Sequence, residues 1–152
     1  MGVKDGSLPP GLAIRPANAN DYDRILAVWE ASGLTVCLDG RESREAFSRQ
    51  VAQFPALYLV ATDAERVVGV VLGSHDQRKG WINRLAVLPE HRRRGIASAL
   101  VRACDTAIRR FGIEVVSALV EPPNEGSFAV FEKLGFDTLK VRYFRKASRP
   151  GA

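Results

Sequence analysis

Residues 85–100 read Leu-Ala-Val-Leu-Pro-Glu-His-Arg-Arg-Arg-Gly-Ile-Ala-Ser-Ala-Leu. The apolar run stops at Pro89, which has no N–H to give to a sheet ladder. A basic loop follows, with His91 ahead of Arg92, Arg93 and Arg94. From Gly95 the period changes. Ile96, Leu100, Cys104, Ile108 and Phe111 fall four, four, four and three apart, an amphipathic helix that Gly112 closes. A strand, a basic loop and a helix thus meet at one point. The first N–H groups of a helix have no internal partners, and the helix dipole makes that end positive. Gly95 and Ala97 add little bulk, so a ligand can approach the backbone. The chemistry expected is binding of a phosphate or pyrophosphate. The plainer alternative is a solvated arginine patch ahead of an ordinary helix. There is no Gly-x-x-x-x-Gly-Lys-Ser/Thr, and no Gly-x-Gly-x-x-Gly after a strand, so a P-loop and the dinucleotide fingerprint are excluded.

The pattern upstream is helical, then extended. Residues 12–15 read as a strand ended by Pro16, and Asn20 as the cap of a helix carrying Ile25, Val28 and Trp29, stopped by Gly33. A second helix starts near Asp39 or Ser43, carries Phe47, Val51 and Phe54, and ends at Pro55. Residues 57–61 and 67–72 read as a hairpin about the turn 62–65, and residues 81–88 as a third strand. Downstream, residues 113–120 read as a strand ended by Pro122-Pro123. Asn124 caps a helix carrying Phe128, Phe131 and Leu134, stopped by Gly135, and residues 136–146 read as a last strand or strand pair. The expected fold class is α/β, a single-domain mixed sheet with helices on both faces. Residues 1–11 are expected as a flexible N-terminal segment, 12–146 as the domain and 147–152 as a flexible tail.

Composition agrees with one soluble domain. The chain has 152 residues, 46% hydrophobic and 26% charged. Its net charge of +5 permits an anionic ligand without demanding nucleic acid. No apolar run approaches the ~18–20 residues of a membrane span, and the opening residues lack a signal-peptide core. Cys37 and Cys104 make neither a disulfide framework nor a zinc site. The expectations are a cytoplasmic protein, a monomer or homodimer, with no metal, nucleic-acid or membrane partner.

The stretch Arg92-x-x-Gly95-x-Ala97 resembles the Arg/Gln-x-x-Gly-x-Gly/Ala signature of the GNAT N-acetyltransferases. The preceding Leu85-Ala86-Val87-x-Pro89-Glu90 is similar to the strand end ahead of it in that family. Asn124, followed by Ala129, Phe131 and Leu134-Gly135-Phe136, resembles the family's late helix, and Ile14-Arg15-Pro16-Ala17 its first strand. The resemblance covers nearly all of residues 12–146. It implies an enzyme with acetyl-CoA (coenzyme A) as donor and a primary amine of a small molecule, peptide or protein as acceptor. It implies that Leu85, Ala86 and Val87 hold the pantetheine arm. The pyrophosphate would lie on Arg92, Arg93, Arg94, Gly95, Ile96, Ala97 and Ser98, with Asn124 and Phe131 facing the cofactor.

Acetyl transfer needs a donor for the developing oxyanion and a way to remove the amine's proton. A bulge in the strand before Pro89 would free such a donor. Many relatives carry a Tyr general acid where this chain has Phe131, and Tyr143 is the nearest later phenol. Some relatives carry Glu at the position of Leu119; Glu121 is displaced by two residues on the same strand face. The candidate catalytic residues are therefore Glu121 and Tyr143. A water chain is the alternative base, and unaided thiolate departure the alternative to an acid. Cys104 lies on the apolar stripe and reads as an inert thiol. Asp39 and Glu42, between the first two helices, would attract a cationic amine. The departures keep a non-catalytic acyl-CoA-binding or sensing module as the second function class.

Overall fold

The computed structural model describes residues 8–152; part of the 1–11 segment therefore lies outside the described residues. The sheet grows from a hairpin whose strands, β2 (Tyr58–Asp63) and β3 (Arg66–His75), are buried along most of their length. Such continuous apolar burial requires cover on both faces. Strand β1 (Leu12–Pro16) pairs with β2 and β4 (Lys79–Val87) with β3, both antiparallel. Strand β5 (Val115–Ala118) adds to β4 in parallel, giving the order β1-β2-β3-β4-β5.

Helices α1 (Tyr22–Ala31) and α3 (Ile96–Arg109) cover the two faces of this sheet. The stripe anticipated for α3 is buried as far as Ile108, with Ile96, Leu100, Cys104 and Ile108 each at most 1% exposed; Phe111 lies beyond the helix end and is 55% exposed. Full burial of each aliphatic chain contributes about 1.5–3 kcal/mol. Close approach to the sheet depends on small residues beneath the helix. A Cβ on Gly73 would lie 2.6 Å from Cys104 Sγ, and one on Gly80 would overlap Ile108. Ile25, Val28 and Trp29 seal the other face. Helix α2 (Arg44–Gln53) packs through Phe47, whose ring sits 5.5 Å from Tyr22 and 6.2 Å from Tyr58. Helix α4 (Glu125–Lys133) closes the order and buries Phe131.

Several element boundaries depart from the sequence reading, and the strand expected over 113–120 is shortened to Val115–Ala118. The first cap is Asn18 rather than Asn20. Its side chain accepts from Asn20 N–H at 2.9 Å, Asp21 accepts from Asn18 N–H at 2.9 Å, and a short 3-10 turn, Ala19–Asp21, precedes α1. Of the two starts expected for the second helix, Ser43 is the one taken; its Oγ accepts from Ala46 N–H. Residues 136–146 form no strand. Their alternation, with Leu139, Val141 and Tyr143 between basic residues, would suit a strand only where a sheet edge pairs the backbone. Here β5 pairs with β4 alone, and Leu139, Val141, Tyr143 and Phe144 are all exposed. Beyond this segment Arg149 pairs with Asp39 at 3.1 Å. No helix among the described residues is long and apolar enough to cross a membrane.

Candidate active site

Two irregularities in β4 build the site. First, Val70 faces Ala86 and Leu72 faces Asn83, so Arg84 and Leu85 together oppose the single residue Val71. This is a β-bulge; it interrupts the ladder and re-aims a side chain. Arg84 carries the distortion, with φ +56°. Trp29 braces it by donating its indole N–H to the Arg84 carbonyl at 3.3 Å. Second, the pairing of β4 with β5 ends at Ile82 and Ala118. Beyond that point β4 continues to Val87 while the chain after β5 runs through 119–124 to α4. A cleft of about 1350 Å³ lies there, lined by Leu85, Ala86 and Val87 on one side and Leu119, Glu121 and Asn124 on the other.

The cleft reaches the N-terminus of α3. Gly95 caps that helix in the left-handed conformation, φ +77°, with no side-chain cap and no acidic residue in the first turn. The N–H groups of Ile96, Ala97 and Ser98 are thus left without side-chain acceptors, and the dipole there is uncompensated. A Cβ on Gly95 would meet nothing within 4 Å, so the approach is open. Arg92 and Arg93 line the cleft beside it. The Arg92 Nε–H donates to the Val87 carbonyl at 3.2 Å, tying the basic loop to the strand end.

Of the residues expected to hold the cofactor or act in catalysis, the cleft lining includes all but Arg94. Arg94 is not among the lining residues; its guanidinium lies 3.6 Å from Asp63. Asn124 lines the cleft while its Oδ1 caps α4 by accepting from Ser127 N–H at 3.2 Å. Phe131 lines the cleft with its ring edge-on to Phe136, centroids 5.1 Å apart. Glu121 and Tyr143 both reach it. Asp39 and Glu42 do not. Glu42 is buried, accepting from Cys37 N–H at 2.8 Å and Arg41 Nε–H at 3.0 Å. Burial pushes the Cys104 thiol up to about 12, which leaves it protonated and inert.

Three charged lining residues escaped the sequence reading, Arg41, Arg84 and Lys133. For Arg84 the available signal was an arginine, next to Asn83, inside the mostly apolar run before Pro89.

The model of the acetyltransferase (GNAT) family matches residues 25–136. Acetyltransferase SG1711 of Sodalis glossinidius is 29% identical over 126 residues, covering 83% of this chain and 87% of that protein. PaiA N-acetyltransferase from Thermoplasma acidophilum, solved in complex with coenzyme A, superposes with a TM-score of 0.78 at 18% identity, covering 86% of this chain and 92% of that one. YncA from Salmonella typhimurium, described as a putative acetyltransferase with its cofactor acetyl-CoA, gives 0.71 at 21%, covering 89% and 88%. These structural likenesses establish the fold, and the family match spans both the bulged strand and the α3 N-terminus. The chain belongs to the GNAT family of acetyltransferases.

Proposed function

We propose that this enzyme moves an acetyl group from acetyl-CoA directly to a primary amine of a small molecule, peptide or protein. The observation that carries the reading is the cleft between β4 and the chain leaving β5, which runs to an uncapped, uncompensated helix N-terminus. Those features suit a long ligand with a pyrophosphate at one end. The donor supplies an activated acetyl thioester and an anionic handle.

The chain's own residues divide the work. The N–H groups of Ile96, Ala97 and Ser98, with Arg92 and Arg93, would hold the pyrophosphate. The backbone of Leu85, Ala86 and Val87 would hold the amide-bearing arm. Asn124 keeps its amide NH₂ for that arm, since only its Oδ1 is used in capping. Phe131 would pack against its inner end. At the Arg84–Leu85 bulge, an N–H released from the ladder would stabilise negative charge developing on the carbonyl oxygen. Glu121 would accept the amine's proton, directly or through water, and Tyr143 would return a proton to the departing sulfur. The balance is simple: an N–C bond forms, the C–S bond breaks, one proton leaves nitrogen and one reaches sulfur. A covalent acetyl-enzyme has no candidate in Cys104, which is fully buried with Sγ turned to the Leu57 carbonyl.

The test is calorimetry with acetyl-CoA, followed by thiol release in the presence of an amine panel. Micromolar binding together with acceptor-dependent thiol release supports the reading. A folded protein that binds no acetyl-CoA overturns it.

A further inference from the structure

The charges lining the cleft are lopsided. Arg41, Arg84, Arg92, Arg93 and Lys133 face it, against the single carboxylate of Glu121. The arginines and amides at the α3 N-terminus are accounted for by a pyrophosphate. Arg41 and Arg84 are not. Arg84 stands at the bulge, and its Nη1–H donates to the Thr35 carbonyl at 2.9 Å. It therefore sits against the α1–α2 loop, whose residues 32–35 also line the cleft.

The Arg84 guanidinium is incompletely satisfied. It lies over the Trp29 ring, 4.5 Å from the centroid, and Nη1 has the Thr35 carbonyl. Nε and Nη2 are buried and have no hydrogen-bond partner. These two nitrogens form one edge of the guanidinium, the side-on fork that receives both oxygens of a carboxylate. No carboxylate among the described residues lies within ion-pair distance of Arg84. Glu42, the nearby acid, already accepts from Cys37 and Arg41. Burial lowers the Arg84 pKa, and the Arg41 charge acts in the same direction against Glu42. Buried guanidinium nitrogens without acceptors are costly to keep, and the residue's backbone conformation adds strain of the kind found at functional positions. Arg41 has only its Nε engaged with Glu42, and its side chain is half exposed at the same wall.

Taking acetyl transfer as the reaction, we propose that the acceptor is a small amine bearing a carboxylate, such as a free amino acid, whose carboxylate is received by Arg84 with Arg41 beside it. The fork is closed to bulk water here, so the carboxylate enters with a small outward shift of the α1–α2 loop. The same charges disfavour polycationic amines, because Asp39 and Glu42 are held away from the cleft. Glu121 remains as the one acid facing the amine.

The test compares amino acids with their carboxamides, and with spermidine and kanamycin, by thiol release at saturating acetyl-CoA. The free acids are expected to exceed the carboxamides at least tenfold in kcat/KM, with the polycations weaker still. Arg84→Lys keeps the charge but loses the fork; it should raise KM for the free acid about tenfold or more and bring the ratio of acid to carboxamide use close to one. Arg41→Ala should raise KM for the acid several-fold, and a thermal melt reads separately the cost of leaving buried Glu42 without its ion partner. Acetyl-CoA calorimetry on each variant separates a lost acceptor site from a lost fold. Equal use of acid and carboxamide, preference for a polycation, or acetyl-CoA binding with no carboxylate-bearing amine acetylated would each overturn the proposal. Failure to bind acetyl-CoA at all would instead overturn the acetyl-transfer reading beneath it.

Discussion

Arg94 reaches across to Asp63 at the end of β2, Nη1 to Oδ2 at 3.6 Å, and His91 Nε2 meets the same carboxylate oxygen at 3.2 Å. The three consecutive arginines therefore do different work. Arg94 fastens the loop to the sheet, while Arg92 and Arg93 face the cleft. Arg92→Ala and Arg93→Ala should each weaken acetyl-CoA about tenfold, or ~1.4 kcal/mol. Arg94→Ala should change affinity less than threefold and lower Tm by a few degrees, since a half-exposed ion pair contributes about 0–1 kcal/mol. Calorimetry and thermal melts on the three variants check the division; equal affinity losses at all three positions would refute it.

Gly95→Glu tests the anion site more severely. The residue's φ of +77° makes any side chain there strained, while the space around a Cβ is open. The expected stability cost is about 1–2 kcal/mol, a Tm drop of roughly 2–8 °C. The carboxylate would stand where phosphate should sit, at the positive end of α3. Acetyl-CoA binding should fall below detection in a protein that still melts cooperatively. Retained affinity in the folded variant would remove the pyrophosphate from this loop.

Acid sensitivity should trace to Asp21. Its two oxygens each accept from Arg15 at 2.8 Å, and Oδ2 also accepts from Asn18 N–H. The Arg15 hydrogen bonds lower its pKa below the ordinary value of 3.8, with burial opposing. A carboxyl depressed in the folded state adds stability above its unfolded pKa and loses it as pH falls through the folded value. At pH 7, Asp21→Asn should cost about 1–3 kcal/mol, toward the lower end because Arg15 is part exposed. Melts of the two proteins should begin to converge below about pH 4 and meet only below the lowered folded value. A gap that persists at low pH would assign the cost to packing instead.

What could be read from the sequence followed periodicity and punctuation. The α3 stripe and the β2–β3 hairpin were legible because burial imposes spacing on apolar residues, and Gly95 and Gly112 bracket the helix. The bulge was foreseen only as a requirement of the chemistry; an arginine in left-handed backbone at position 84 leaves no local mark. Where a long side chain points was not legible either. Arg94 and Arg92 differ by two positions, yet one finds Asp63 and the other the Val87 carbonyl, partners set by tertiary packing. Asp39 and Glu42 suited an amine-attracting wall by composition. Their engagement by Arg149 and Cys37 depends on contacts as far as 110 positions away. The strand expected at residues 136–146 had the right alternation, but its backbone does not pair with the open edge of β5.

The proton on the departing sulfur remains the sharpest chemical question, and Phe131 and Tyr143 decide it. Phe131 is 8% exposed and packs edge-on to Phe136, so Phe131→Tyr adds one hydroxyl to a fixed ring at the cleft. Tyr143 reaches the same cleft from a segment that is otherwise solvent-facing. Tyr143→Phe should therefore lower kcat by about 10²-fold, the lower range for general acid catalysis. Acetyl-CoA affinity and Tm should be unchanged, because so exposed a phenol carries little packing. Phe131→Tyr in the Tyr143→Phe background should recover part of the loss if the new hydroxyl stands near the sulfur. An unchanged kcat in Tyr143→Phe would mean that the thiolate leaves without a proton from either residue. The substitution of Phe for a family tyrosine at position 131 would then have cost the enzyme nothing.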